Sequence, residues 1–378
     1  MSDPVLPAYG RRSLVEVLPA LLAALGLPGP VGELAVPDAR AAVLLLVDGL
    51  GHDLLRAHAA DAPFLASARD AGPITAGFPS STAVSLASLG TGQPPGVHGL
   101  VGTSVRVGDE LLDALRWTIH RPGGADLRER LVPEQVQAEP TVFERATAAG
   151  IATTVVTQRA VRNSGLTRAT LRGARFRGTS ALGDLAAELI TTARSPGRQL
   201  VYGYHGDLDG VGHVHGPGSL PWRLQLAAID RVAARIAEAL PDDAVLAITG
   251  DHGMVAIDRR HDADIDDDLR RGVLDAAGDV RARHFHAQPG AAADVLATWQ
   301  ARLGDDAWVV SREQAVAEDW FGPLRPSVAD RVGDVVVAAR GSAGVIRSAA
   351  EPVISRLPGQ HGSLSAAEQL VPMLLHGG

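Results

Sequence analysis

Residues 41–47 read AAVLLLV, an unbroken apolar run closed by Asp48 and Gly49. A run that short predicts a strand buried on both faces and ending in a loop. The pattern then changes period. A helix is expected across 51–70, and a short one across 82–90 (TAVSLASLG), closed by Gly90. Thr141 and Glu144 have capping-box spacing at the head of a helix that leads through Gly150 into the strand IATTVVT. Residues 199–204 (QLVYGY) predict another strand. Ser219 and Pro221 open a helix whose apolar positions, Leu226, Ile229, Val232, Ile236 and Leu240, share one face. The strand AVLAIT follows and ends at Gly250-Asp251-His252. Near the start, Ser13 caps a helix with Leu14, Val17, Leu21, Leu22 and Leu25 on its buried side. Strands alternating with helices imply an α/β fold, a mainly parallel sheet with helices on both faces. Ligands bind beyond the carboxyl ends of such strands.

After residue 261 the texture changes. HDADIDDDLR reads as a solvated loop or a polar helix start, without the glycine and terminal glutamate of a calcium loop. Residues 280–339 predict strand (VRARHFH), helix (289–303), strand (AWVV), helix (312–318) and strand (DVVVAA). The chain is therefore expected to be a single catalytic domain, 1–378, with a small α+β cap inserted at about 265–345.

The chain has 378 residues and a formal net charge of −8, which argues against a general nucleic-acid or anionic-membrane binder. It has no cysteine, which removes disulfides, thiolate ligands and a cysteine nucleophile. All 35 basic residues are arginine, a bias without functional meaning here. Arg11-Arg12 precedes an apolar stretch as in a twin-arginine export leader, but Glu16 and Pro19 interrupt it, so a cytoplasmic protein is expected. No run reaches the roughly 20 apolar residues of a membrane span.

Against this background the polar residues at strand ends stand out: Asp48, Asp209 and His213 (DGVGH), Asp251 and His252 (GDHG) and His361 (GQHG). Aspartate with imidazole suits zinc and similar cations. Asp209 and His213 are four apart, within reach of one ion. Two cations roughly 3.5–4 Å apart can hold both the attacking and the leaving oxygen of a phosphoryl transfer. Thr82 in FPSST, at a helix start where N–H groups favour a phosphate, is the candidate nucleophile, with Ser80 and Ser81 as rivals. Asp207 rivals Asp209. His205 and His215 stay outside the ligand set, and His98 is read as stabilising a turn. His284 and His286 are read as surface or structural residues of a cap strand, and Trp320 and Phe321 as core.

The order Asp…FPSST…DxxGH…GDHGM…HG resembles the alkaline phosphatase superfamily, within it the type I phosphodiesterase/nucleotide pyrophosphatase branch, over about 41–366. The resemblance implies an alkaline-phosphatase-like α/β sandwich and a phospho-threonine intermediate on Thr82. It implies one metal held by Asp209, His213 and His361, and a second by Asp48, Asp251 and His252 with the Thr82 oxygen. Two zinc ions are implied, with manganese the alternative, and a small phosphodiester or nucleotide-like substrate. Two departures are visible. Ser85 stands where eukaryotic relatives carry a phosphate-contacting asparagine, and is the candidate substrate contact here. Ser80 and Ser81 replace a threonine and a lysine. Phosphonate or phosphomonoester hydrolysis, phosphomutase chemistry, or a catalytically inactive metal-bound scaffold are the alternatives. No C/S-x-P-x-R match supports a sulfatase.

Overall fold

The computed structural model describes residues 3–378. The run at 41–47 is a strand, Ala41–Val47, buried at every position. Its side chains divide by parity. Ala42, Leu44 and Leu46 enter one hydrophobic cluster; Ala41, Val43, Leu45 and Val47 enter the other. Successive strand residues point to opposite faces, so an uninterrupted apolar run needs a core on each side.

This strand is central in a seven-stranded sheet. The order is Arg69–Asp70, Met373–Gly377, Ala244–Thr249, Ala41–Val47, Gln199–His205, Ala152–Gln158, Arg175–Thr179. The last five run parallel, and Met373–Gly377 runs antiparallel to its neighbours. Helices Leu182–Ala193 and Leu220–Ala239 cover one face through Leu185, Leu189, Trp222, Leu226 and Ile229. Helices Leu14–Ala24 and Thr82–Thr91 cover the other. The first carries the expected Ser13 cap, completed as a capping box by Glu16. The expected α/β sandwich is present. Leu46 is in register with Thr249 on one side and Tyr204 on the other. The three central strands therefore end level and release their loops into one crevice.

Local details differ from the pattern. The helix expected at 51–70 is two short helices, His52–Ala57 and Pro63–Ser67, followed by the edge strand Arg69–Asp70. Pro63 has no N–H to continue a helix and starts a new one instead. Gly90 does not close its helix. It lies inside Thr82–Thr91, where a Cβ would meet the Thr170 carbonyl oxygen at 2.0 Å. The helix ends at Thr91 and is capped by Gly92, which takes the left-handed conformation (φ 64°).

A second seven-stranded sheet borders the cavity through Asp113, Thr118 and the turn at Gly278–Val280. Four strands, Val273–Gly278, Ala282–Ala287, Ala307–Ser311 and Val335–Ala339, come from the stretch expected to form the cap. The other three, Ser104–Val107, Glu110–Asp113 and Thr118–Ile119, come from just after the Thr82 helix and were not foreseen. One face buries Phe285, Trp299, Val335 and Val337 in a core of its own. The other joins Val336 and Ala338 to the main core. His284 and His286 are buried on this sheet, and Trp320 and Phe321 pack against Phe78.

The acidic segment is not simply solvated. Asp262 accepts from the Ser348 N–H, and Asp264 from Ala349 and Ala350. These bonds tie down the loop leading into Glu351, which forms a wall of the crevice. Among the described residues no helix is long and apolar enough to cross a membrane.

Candidate metal centre

Asp48 follows the strand Ala41–Val47, Asp251 follows Ala244–Thr249, and Asp209 and His213 lie on the helix Asp207–His215 that follows Gln199–His205. His361 arrives from the distant segment after the strand Gly359–Gln360. The ligand atoms of Asp48, Asp251 and His252 lie within 4.8 Å of one another, as do those of Asp209, His252 and His361. His213 Nε2 is 3.4 Å from Asp209 Oδ2. All six expected ligands therefore converge, with His252 between the two groups.

The histidines are held in one tautomer. His213 Nδ1 bonds the Gly359 carbonyl at 2.7 Å, His252 Nδ1 that of Gly253 at 2.9 Å, and His361 Nδ1 that of Ser80 at 3.0 Å. A carbonyl only accepts, so each Nδ1 carries a proton and each Nε2 is turned into the site. That is the orientation metal-binding imidazoles take. The rings of His252 and His361 stack with centroids 3.5 Å apart.

The carboxylates lack partners. Asp48 Oδ1, Asp209 Oδ1 and Asp251 Oδ2 are buried without a hydrogen-bond donor. Burial, and then the neighbouring charge of Asp251, push the Asp48 carboxyl well up; burial and then Asp48 do the same to Asp209. Burial pushes Asp251 up to about 6, opposed by the N–H of Gly49, which donates to Oδ1 at 3.0 Å. Burial holds His252 down to about 4, and holds His361 well below its ordinary value with His252 and His213 adding to the effect. Three carboxylates with buried oxygens lacking donors, beside imidazoles braced through Nδ1, are costly alone and satisfied by divalent cations, so the donor set fits two such ions.

Of the three candidate hydroxyls only Thr82 faces the crevice. Ser80 is fully buried and donates to the Ser363 carbonyl at 2.8 Å, and Ser81 is fully buried at the N-cap. Thr82 Oγ1 lies 3.4 Å from Asp48 Oδ2 and 3.2 Å from His252 Nε2. Ser85 is turned into the fold and does not line the cavity beside Thr82. It is fully buried, and its hydroxyl donates to the Asp251 carbonyl at 2.7 Å, so its only proton is spent on the fold. Asp207 and His205 interact with each other at 3.8 Å, away from the ligand cluster. His98 stabilises a turn as expected, bonded to Ser88 Oγ at 3.1 Å and to the Leu100 N–H.

The pattern missed Tyr204, whose hydroxyl donates to Asp48 Oδ2. Its signal was its place, next to last in a strand aimed at the crevice. A cavity of about 690 Å³ opens from Thr82, Asp209, His213 and His361 outward between the segments 113–124 and 350–357.

No curated protein sequence matches this chain. Two solved structures that the fold resembles carry the name ectonucleotide pyrophosphatase/phosphodiesterase 5. The murine one has a TM-score of 0.66 at 16% identity, covering 89% of this chain and 88% of that one. The human one has 0.65 at 18%, covering 89% and 87%. A further murine structure is described as an inactive threonine-to-alanine variant in complex with AMP. Phosphonoacetate hydrolase from Sinorhizobium meliloti 1021, in complex with phosphonoacetate, has a TM-score of 0.68 at 20% identity, covering 90% and 91%. In sequence, the profile of the type I phosphodiesterase/nucleotide pyrophosphatase family matches residues 42–364. That stretch contains the whole ligand cluster and Thr82, and the chain belongs to this family.

Proposed function

We propose that the protein is a two-metal hydrolase of phosphodiester or pyrophosphate bonds that works through a phospho-threonine on Thr82. The family's chemistry is phosphoric ester hydrolysis. The observation that carries the finer reading is the Thr82 hydroxyl, set against Asp48 and His252 within a cluster of six cation-ligand side chains whose buried carboxylate oxygens lack donors. Asp209, His213 and His361 would hold one ion, and Asp48, Asp251 and His252 the other, zinc or manganese. Such ions supply the positive charge the site lacks and acidify a bound hydroxyl.

Thr82 gives up its proton to solvent, and its Oγ1 forms a bond to phosphorus as the bond from phosphorus to the departing oxygen breaks. Water then cleaves the phospho-threonine, returning the hydroxyl and releasing the phosphoryl product. Tyr204 fixes the orientation of Asp48. The threonine-to-alanine variant described as inactive in the murine relative supports the role of Thr82.

The test is turnover of bis-p-nitrophenyl phosphate against p-nitrophenyl phosphate by chelator-stripped protein reloaded with zinc or manganese. Metal-dependent turnover favouring the diester is expected. A preference for the monoester would replace this reading with a phosphatase. Phosphonate hydrolysis on the same site is the second reading, favoured by the similarity in fold to phosphonoacetate hydrolase, and release of phosphate from phosphonoacetate tests it.

A further inference from the structure

The cavity beside the ligand cluster contains a carboxylate that neither the metal set nor the Thr82 chemistry uses. Asp279 sits at the tip of the hairpin formed by Val273–Gly278 and Ala282–Ala287, and it faces the cavity. Gly362, next to His361, backs directly onto it: a methyl group there would lie 3.2 Å from the Asp279 Cβ. Thr103 anchors one carboxylate oxygen through its N–H at 3.2 Å. No cation pairs with Asp279. Arg283, the guanidinium whose charge Asp279 feels, is committed to both oxygens of Glu351, at 2.8 and 2.5 Å. Burial pushes the Asp279 carboxyl up to about 6. A carboxylate held in place by Thr103 through one oxygen, with no cation beside it and facing open space, is a recognition element for a hydrogen-bond donor.

The side of the cavity matters. Of the six ligands, Asp209, His213 and His361 line it, whereas Asp48, Asp251 and His252 do not. Thr82 Oγ1 lies against Asp48 and His252. In-line displacement puts the departing oxygen opposite the attacking one, hence on the cavity side.

The other walls narrow the chemistry. Among the described residues no phenylalanine, tyrosine or tryptophan lines the cavity, so a nucleobase finds no stacking platform of that kind. Leu115 and Val353 expose apolar lips. Arg116 and Arg121 stand exposed at the same rim and disfavour an ammonium group.

Resting on the diester-hydrolase reading above, we propose that Asp279 is a specificity residue that accepts a hydrogen bond from a hydroxyl of the departing alcohol, so that the substrates are phosphodiesters of polyols of the glycerol or sugar type.

The experiment measures binding without turnover. Zinc-loaded Thr82→Ala protein is titrated calorimetrically with diglyceryl phosphate and with dipropyl phosphate, which lacks the hydroxyls. The titrations are repeated with Asp279→Ala and Asp279→Asn added. Diglyceryl phosphate is expected to bind about tenfold or more tighter than dipropyl phosphate. Asp279→Ala should bring that ratio close to one, and Asp279→Asn, which keeps an acceptor oxygen, should restore part of it. Equal binding of the two diesters, or a ratio unchanged in Asp279→Ala, overturns the proposal. Turnover of bis-p-nitrophenyl phosphate by protein with Thr82 intact is scored separately. Its absence overturns the diesterase reading, while the binding ratio still decides the role of Asp279.

Discussion

The imidazoles of His252 and His361 stack 12° from parallel, and they come from adjoining segments that pair antiparallel, Val255–Ala256 with Gly359–Gln360. Each is braced through Nδ1 by a backbone carbonyl, Gly253 for one and Ser80 for the other. The Ser80 carbonyl lies two residues before Thr82, so the Thr82 loop itself orients His361.

Thr82→Ala should remove turnover by about a thousandfold or more, because it deletes the attacking oxygen. Both ions should remain, since six ligands are untouched; elemental analysis checks this. A variant with normal metal content and full activity would sink the phospho-threonine mechanism.

Tyr204→Phe should weaken metal binding by about 10–100-fold, as is usual when a partner that orients a ligand is lost. Chelator competition measures it. Unchanged affinity would mean that Asp48 needs no help from Tyr204.

Ser85→Ala should cost stability and spare catalysis. It leaves the Asp251 carbonyl short of one buried donor, worth about 1 kcal/mol. Turnover should stay within about threefold of wild type, a small change for a group outside the reacting centre. A large loss of kcat with unchanged stability would return Ser85 to the substrate.

Glu351 is a buried strut. Burial alone would raise its carboxyl, but Arg283 and His120 more than reverse this and hold it well below the usual range. Its His120 contact, at 2.8 Å, joins the two walls of the cavity. Glu351→Gln should destabilise the protein by about 3–5 kcal/mol, the usual penalty for orphaning a buried charge. It should also raise KM. Urea unfolding with steady-state kinetics tests both, and a silent substitution would remove the strut.

Acid should unfold the protein partly through His98. Burial, with Arg331 adding, holds it down to about 3. Its unfolded value is near 6.5, so as pH falls from about 6.5 the unfolded chain takes up a proton that the folded chain refuses. Stability is fully present above that value and is lost toward acid, by about 1.4 kcal/mol per pH unit. His98→Gln should flatten the pH dependence of unfolding free energy by about one proton, measured by urea titration between about pH 5 and 7. An unchanged slope would show that His98 is not the group refusing the proton.

Much of this protein is legible in its sequence because the information is local. AAVLLLV must be a doubly buried strand, Ser13 and the pair Thr141 and Glu144 must start helices, and Asp209 with His213 must lie within reach of one ion. The order of motifs carried the resemblance and the six ligands. What local pattern cannot carry is register and direction across long separations. Level strand ends, set by pairing Leu46 with Thr249 and Tyr204, bring Asp48, Asp251 and Asp209 together. Packing alone placed the 104–119 strands in the second sheet, since short half-buried strands reveal no partner. Ser85 took a backbone partner, and Tyr204 a contact that no pattern suggested, for the same reason. A side chain's partner depends on which backbone lies opposite it, and only the folded chain decides that Ser85 meets the Asp251 carbonyl while Tyr204 meets the Asp48 carboxylate.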